Sequence, residues 1–433
     1  MFISDSLSVN EKGHLTIASA DVVELSNKYG TPLYIMDEDK IRRTCREYVG
    51  ALTECYGDNF SVHYASKAFC TKYMYKILFE ENLSADVVSG GELYTAISAG
   101  FPAEKISFHG NNKTVSEINY ALECGIGEFI VDNREELVTI NELAKNKGMC
   151  PNISFRIKPG IDAHTHDFVK TGQIDSKFGV ALENGEAFEI IREAVSLSNV
   201  NFRGVHSHIG SQIFDAEPFE SAAKVMVEFI AKVRDELGCE IKELNLGGGF
   251  GIRYTESDDP KSIYESVKSF TDAVKSECEK YGLSLPHLSI EPGRSVVAEA
   301  GITTYTVGSV KTIENIRTYV SVDGGMTDNP RYALYGAEYT VLLPERPLAE
   351  KNTVVTVAGR NCESGDLIGE NLSLPEVRAG ELLAVLTTGA YNYSMASNYN
   401  RVPRPAVVMV SEGKDKLIVK RESYEDLISN DIL

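Results

Sequence analysis

A chain of 433 residues is long enough for one barrel domain of roughly 250 residues and a second core of about 150. Its 43% apolar and 24% charged content is that of a globular protein, and no apolar run approaches the roughly 20 residues a bilayer span needs, which excludes a helical membrane protein. A formal charge of −20 repels phosphates and disfavours nucleic acid as a partner, but it does not restrict a small substrate held in a local pocket.

The first residues, Met1-Phe2-Ile3-Ser4-Asp5-Ser6, carry neither the basic flank nor the apolar stretch of a secretory signal, so a cytoplasmic protein is expected. A β-like run at 14–18 is expected to join a later β domain as a strand. From about residue 36, short β-branched runs alternate with longer amphipathic stretches, the pattern of repeated βα units around a parallel sheet. Eight such runs are countable, at 60–65, 84–88, 105–109, 128–131, 152–157, 202–208, 243–246 and 287–290. Helical periodicity fills the intervals. In 220–237, for example, Val225, Phe229, Ile230 and Val233 share one face. Eight strands with helices between them predict a (β/α)8 barrel, whose active-site residues come from the C-terminal strand ends. After about residue 296 the texture changes to short runs at 319–322, 353–357, 382–386 and 406–410, separated by Gly, Pro and Asn, which predicts an all-β domain. The eight cysteines are scattered without a C-x-x-C pair; reduced thiols and no metal site are expected.

The strand ends carry the chemistry. The first ends in Tyr64-Ala65-Ser66-Lys67-Ala68, where a lysine is either an ordinary loop residue or, if desolvated, an amine able to form a Schiff base with an aldehyde. The second gives Asp86-Val87-Val88-Ser89-Gly90-Gly91-Glu92, in which Ser89 and Glu92 have the spacing of a helix capping box. The sixth ends in His206-Ser207-His208-Ile209-Gly210-Ser211. Alternate strand residues share a face, so the two histidines read either as paired metal ligands or as core histidines. The seventh ends in Gly247-Gly248-Gly249-Phe250-Gly251, a tight turn or a backbone cradle for an anion. The eighth ends in Glu291-Pro292-Gly293-Arg294: a structural ion pair, or a carboxylate that keeps a pyridine nitrogen protonated.

Taken together and in this order, these motifs resemble the diaminopimelate decarboxylases of the fold-type III pyridoxal-phosphate enzymes over nearly the whole length. The resemblance implies an alanine-racemase-like fold: a (β/α)8 barrel over 36–295, and a β-sandwich or β-barrel domain from 1–35 and 296–433 that completes the active site. It implies that Lys67 carries pyridoxal 5'-phosphate and that Glu291 pairs with the pyridine nitrogen. His208 would lie against the ring, Ser211, Gly248, Gly293 and Arg294 would hold the phosphate end, and Asp86 would lie near the cofactor. Ala68-Phe69-Cys70 stands where many relatives have Ala-Asn, a departure that leaves the lysine in place.

The β domain adds the branch-specific features. Asp323 to Gly336 resembles the segment whose arginine and tyrosine, here Arg331 and Tyr335, bind the distal carboxylate of the substrate, and an Arg fork suits a carboxylate better than a Lys point charge. Gly359 to Asp366 resembles the segment that supplies a cysteine general acid, Cys362, and a glutamate for the distal ammonium, Glu363. Tyr391, in Gly389-Ala390-Tyr391, matches the tyrosine that borders cofactor and substrate. The implied reaction is decarboxylation of meso-2,6-diaminopimelate to L-lysine and carbon dioxide, in a homodimer with shared active sites. The rival readings are a decarboxylase of ornithine, arginine or carboxynorspermidine, a metal-dependent barrel hydrolase using His206 and His208, and a non-catalytic cofactor-binding regulator.

Overall fold

The computed structural model describes residues 2–161 and 176–433. The chain divides into two compact units: Thr44–Gly251 with Pro260–Ser295, and Met1–Arg43 with Ile252–Asp259 and Val296–Leu433.

The larger unit is a closed parallel barrel. Its strands are Phe60–Ala65, Ser84–Val87, Ile106–Phe108, Glu128–Val131, Asn152–Lys158, Asn201–Ser207, Glu243–Asn245 and His287–Ile290. Each pairs in parallel with the next, and the eighth closes onto the first through Leu288 opposite Phe60 and Ile290 opposite Val62. All eight runs expected from the sequence are there. Their near-continuous apolar character reflects burial, with Val62, Ala85, Val87, Phe108, Phe129 and Phe155 almost wholly covered. A two-residue strand, Val180–Ala181, extends the edge of the fifth.

Local signals set the helix limits. The helix expected over 220–237 spans Glu217–Leu237: Pro218 sits in its first turn, where a missing N–H costs nothing, and Gly238 ends it in the left-handed conformation. Ile263–Tyr281 starts on a capping box of Ser262 and Glu265 and stops at Gly282. No helix is long and apolar enough to cross a membrane among the described residues.

The second unit is built on a nine-stranded sheet. Its organising element is the long strand Gly301–Ile313. The first half pairs with Leu33–Asp37 and Leu382–Val385; the second half pairs with Arg317–Val322 after a register shift between Val307 and Ser309. A bulge there lets one strand serve two parts of the sheet. The N-terminal strand that joins this sheet is Leu33–Asp37, fully buried between Gly301–Ile313 and Ala406–Ser411. The run at 14–18 joins this unit as a strand, as expected: Leu15–Ile17 pairs with Leu7–Val9 and Ala20–Asp21 in a separate three-stranded sheet. Leu15 and Ile17 still pack with Leu33, Ile35, Ile302 and Val408 in one core.

Candidate active site

The C-terminal ends of the barrel strands gather the first set of residues. Phe60–Ala65 runs directly into the turn Ser66–Ala68, in which Ser66 and Ala68 are buried and Lys67 is exposed. The turn is fixed on both sides. Ala65 N–H donates to the Pro292 carbonyl (3.1 Å), Ser66 N–H to Asp86 Oδ1 (3.2 Å) and the Tyr75 hydroxyl to Ser66 Oγ (2.9 Å). Asp86 is itself buried. Desolvation raises its carboxyl well above the usual range, Glu291 pushes the same way, and the Lys67 charge opposes both.

The expected capping box at the second strand forms in half. Ser89 Oγ accepts from Glu92 N–H (3.2 Å), but the Glu92 carboxylate reaches back to Val88 N–H (2.8 Å), one residue earlier than the closed motif.

His206 and His208 do not act as a pair. The strand ends at Ser207, and the alternation that would have put both rings on one face ends with it. His206 Nε2 lies 3.0 Å from Glu291 Oε2, whereas His208 Nδ1 accepts the Gly248 N–H at 3.3 Å. Burial, reinforced by the Lys67 and Arg156 charges, holds His208 well below its ordinary value, so it is the neutral ring that can accept. The ligand-type atoms that do converge among the described residues belong to His109, His206 and Glu291. Of the two readings left open for His206 and His208, hydrogen-bonded histidines is the one this geometry supports.

The glycine run packs against the eighth strand end. A Cβ at Gly248 would fall 2.0 Å from the Glu291 carbonyl oxygen, and one at Gly249 (φ 113°) would fall 2.3 Å from that of Gly210. Only side-chain-free backbone fits there. Arg294, buried, donates to Ser211 Oγ through its terminal nitrogen (2.9 Å) and Nε (3.3 Å), which joins the sixth and eighth strand ends. Gly293 packs against Ala65. A glycine cradle, a hydroxyl and a buried guanidinium are the donor set of a phosphate site. With an exposed lysine at the first strand end and a buried carboxylate at the eighth, the barrel residues fit pyridoxal phosphate.

The second unit gathers the other set by its own topology. Arg317–Val322 and Thr353–Ala358 are parallel neighbours, so the segments that follow them leave the same end of the sheet. Asp366, buried at the end of the second segment, accepts from Met326 N–H (2.6 Å) in the first and from Asn361 N–H and Nδ2 (2.7 and 2.8 Å) in its own. Arg360 N–H donates to the Gly324 carbonyl (2.9 Å). Asp328, pushed up to about 7 by burial, accepts from the Tyr305 hydroxyl and from Gly325 N–H, and so orders the turn into the helix Arg331–Tyr335. The Arg331 guanidinium lies 5.4 Å from the Tyr335 ring centre and 5.5 Å from that of Tyr391. Its Nε is buried without an acceptor, an orphan donor of the kind a carboxylate would satisfy. Cys362 and Glu363 are exposed on the 359–366 segment, where Cys362 N–H donates to Asn400 Oδ1 (2.8 Å).

The sequence reading missed the partners of Glu291. His109 Nε2 lies 2.9 Å from Oε1, and Asn245 Nδ2 donates to the same oxygen at 2.7 Å. The available signal was position: each stands at the end of a barrel strand run, as Lys67 and Glu291 do.

Comparison with known proteins agrees with this geometry. The pyridoxal-dependent decarboxylase family, pyridoxal binding domain, matches residues 38–298. The chain is 50% identical over 422 residues to the diaminopimelate decarboxylase of Bacillus methanolicus, covering 98% of each chain. It is 49% identical to that of Bacillus subtilis, covering 100% of this chain and 98% of the relative. Among solved structures, diaminopimelate decarboxylase from M. jannaschii in complex with L-lysine superposes with a TM-score of 0.92 at 38% identity, covering 100% of this chain and 99% of the other.

Proposed function

This chain belongs to the diaminopimelate decarboxylases, pyridoxal-dependent carboxy-lyases of lysine biosynthesis, and we infer from that membership how its own residues divide the work. The reaction converts meso-2,6-diaminopimelate to L-lysine and carbon dioxide. The observation that carries the assignment is the barrel-end constellation, in which Lys67, the Gly248 cradle, the Arg294–Ser211 pair and buried Glu291 stand at the ends of one closed sheet.

Pyridoxal phosphate, when bound, supplies an electron sink for the electron pair left on the α-carbon as carbon dioxide departs. In this reading Lys67 holds its aldehyde carbon, Ser211, Gly248, Gly293 and Arg294 hold the phosphate, His208 covers the ring, and Asp86 and Tyr391 border it. Glu291 carries the negative charge that faces the pyridine nitrogen. Arg331, Tyr335 and Arg294 hold the distal carboxylate of the substrate, and Glu363 holds its distal ammonium. The second amino-acid centre thus serves as a handle that positions the first. The Cys362 thiol delivers a proton to the carbon that carbon dioxide has left. In this reading the barrel unit holds the cofactor, and the second unit supplies the residues that complete the site. The reading includes a cytoplasmic location and a homodimer in which Cys362 serves the partner's cofactor.

Subunit mixing tests this arrangement. Lys67→Ala and Cys362→Ala proteins, each inactive or severely impaired alone, form hybrids with one site carrying both defects and one carrying neither. Random pairing makes half the dimers hybrid, so roughly a quarter of unmutated site activity should return. Exchange demonstrated by mass, without recovered activity, would place each site within a single chain.

A further inference from the structure

We propose that His206 and Asn245 are positioning residues: a two-donor clamp that holds the Glu291 carboxylate fixed and charged toward the ring nitrogen of the cofactor. The proposal rests on the role given to Glu291 above.

A carboxylate withdrawn from water into a barrel interior is driven toward the neutral acid, and a neutral acid could not stabilise a protonated pyridine. Glu291 is only 7% exposed, and burial does push it upward, yet contact with His109 and His206 more than reverses this and holds it well below the usual carboxylate range. The geometry supplies the means. His109 Nε2 stands 2.9 Å from Oε1, Asn245 Nδ2 donates to the same oxygen at 2.7 Å, and His206 Nε2 stands 3.0 Å from Oε2. The two donors, His206 and Asn245, belong to the sixth and seventh strands, so the carboxylate of the eighth strand end is gripped from separate staves of the barrel.

Each donor is itself oriented. Asn245 Oδ1 accepts the Gly247 N–H (2.8 Å), which fixes the amide so that Nδ2 faces Glu291, and the Gly247 carbonyl accepts the Glu291 N–H (2.7 Å). The two imidazoles meet edge to face with centroids 5.0 Å apart. Burial drives His109 down to about 4, and its Nε2, although close to Oε1, makes no hydrogen bond to it. His206 Nδ1 is buried without a partner, which leaves Nε2 as the ring atom that serves Glu291. The consequence is electrostatic. An amide donor such as Asn245 Nδ2 stabilises the carboxylate without cancelling its charge, which stays available to a cationic ring nitrogen; a lysine in its place would have consumed it. Arg156 and Asp86 act on the same site with opposite signs, and His63 and His208 are driven down by burial, His63 to about 4.

The test loads the enzyme with pyridoxal phosphate ¹⁵N-labelled at the ring and follows that nitrogen's chemical shift with pH. In the unmutated protein the ring nitrogen stays protonated through neutral pH. His206→Phe, which keeps the volume and removes the donor, should lower its apparent pKa by about one to two units, the worth of one hydrogen bond to a charged group. The same loss should cut kcat roughly ten- to a hundredfold with little change in KM. His206→Gln, which keeps an N–H donor, should restore the shift. Should the Phe variant not fold, Asn245→Ala removes a donor without adding volume and gives the same readout. If Glu291→Gln deprotonates the ring nitrogen while the donor variants leave it unchanged, the clamp is wrong and the role of Glu291 stands. If Glu291→Gln also leaves it unchanged, the role of Glu291 fails and the clamp with it.

Discussion

Lys67→Ala should yield a folded protein that retains no covalently held cofactor and has lost turnover by at least about 10³-fold, as removal of a catalytic nucleophile does. Folding should survive because the turn around Lys67 is fixed by other groups: the Ala65 and Ser66 N–H bonds and the buried Ala68 side chain. Lys67 itself is exposed, and truncating an exposed side chain away from such bonds costs about 0.5 kcal/mol or less. The measurement is the visible absorbance of the reconstituted protein beside its far-ultraviolet circular dichroism. An alanine variant with native dichroism and full turnover would remove the basis for placing the cofactor at this strand end.

The second large effect concerns selectivity. Arg331 and Glu363 are proposed to read opposite charges on the distal centre of the substrate. Both belong to a compact unit separate from the glycine run, so truncating them should spare cofactor binding. Arg331→Ala should lower kcat/KM for meso-diaminopimelate on the order of 10²- to 10³-fold, the cost of leaving a desolvated carboxylate unpaired. Arg331→Lys should recover only part of this, because the point charge lacks the fork that matches a carboxylate. The unmutated enzyme should reject L-ornithine by roughly 10⁴ to 10⁵, since its buried polar groups would be left without partners. Comparable turnover of L-ornithine and meso-diaminopimelate would contradict the assignment of these residues.

The elements legible in the sequence are those that a local pattern determines. The eight barrel strands announce themselves because a strand covered on both faces is a continuous apolar run, and Glu217–Leu237 because one face repeats at helical spacing. The 14–18 run was legible as a strand of the β unit because its apolar content is that of one, but apolar content does not choose a partner strand. The short chain turn at 10–13 lets it pair with Leu7–Val9 first. The site follows the same division. Lys67, the glycine run and Glu291-Pro292-Gly293-Arg294 are contiguous motifs and could be read. Position marks His206 and Asn245 as strand-end residues, but that they meet Glu291 was not legible, because they lie 85 and 46 residues away and only the barrel brings their strand ends together. The choice between the two readings of His206 and His208 was not legible for a related reason: alternation holds only while the strand lasts, and this one ends between them.

The most direct measurement of the central claim is product stoichiometry. The purified protein, reconstituted with pyridoxal phosphate and given meso-diaminopimelate, should release one carbon dioxide for each L-lysine formed, with both products absent when Lys67→Ala protein is used. Release of carbon dioxide from another amino acid in preference to meso-diaminopimelate, or consumption of meso-diaminopimelate without L-lysine, would contradict it.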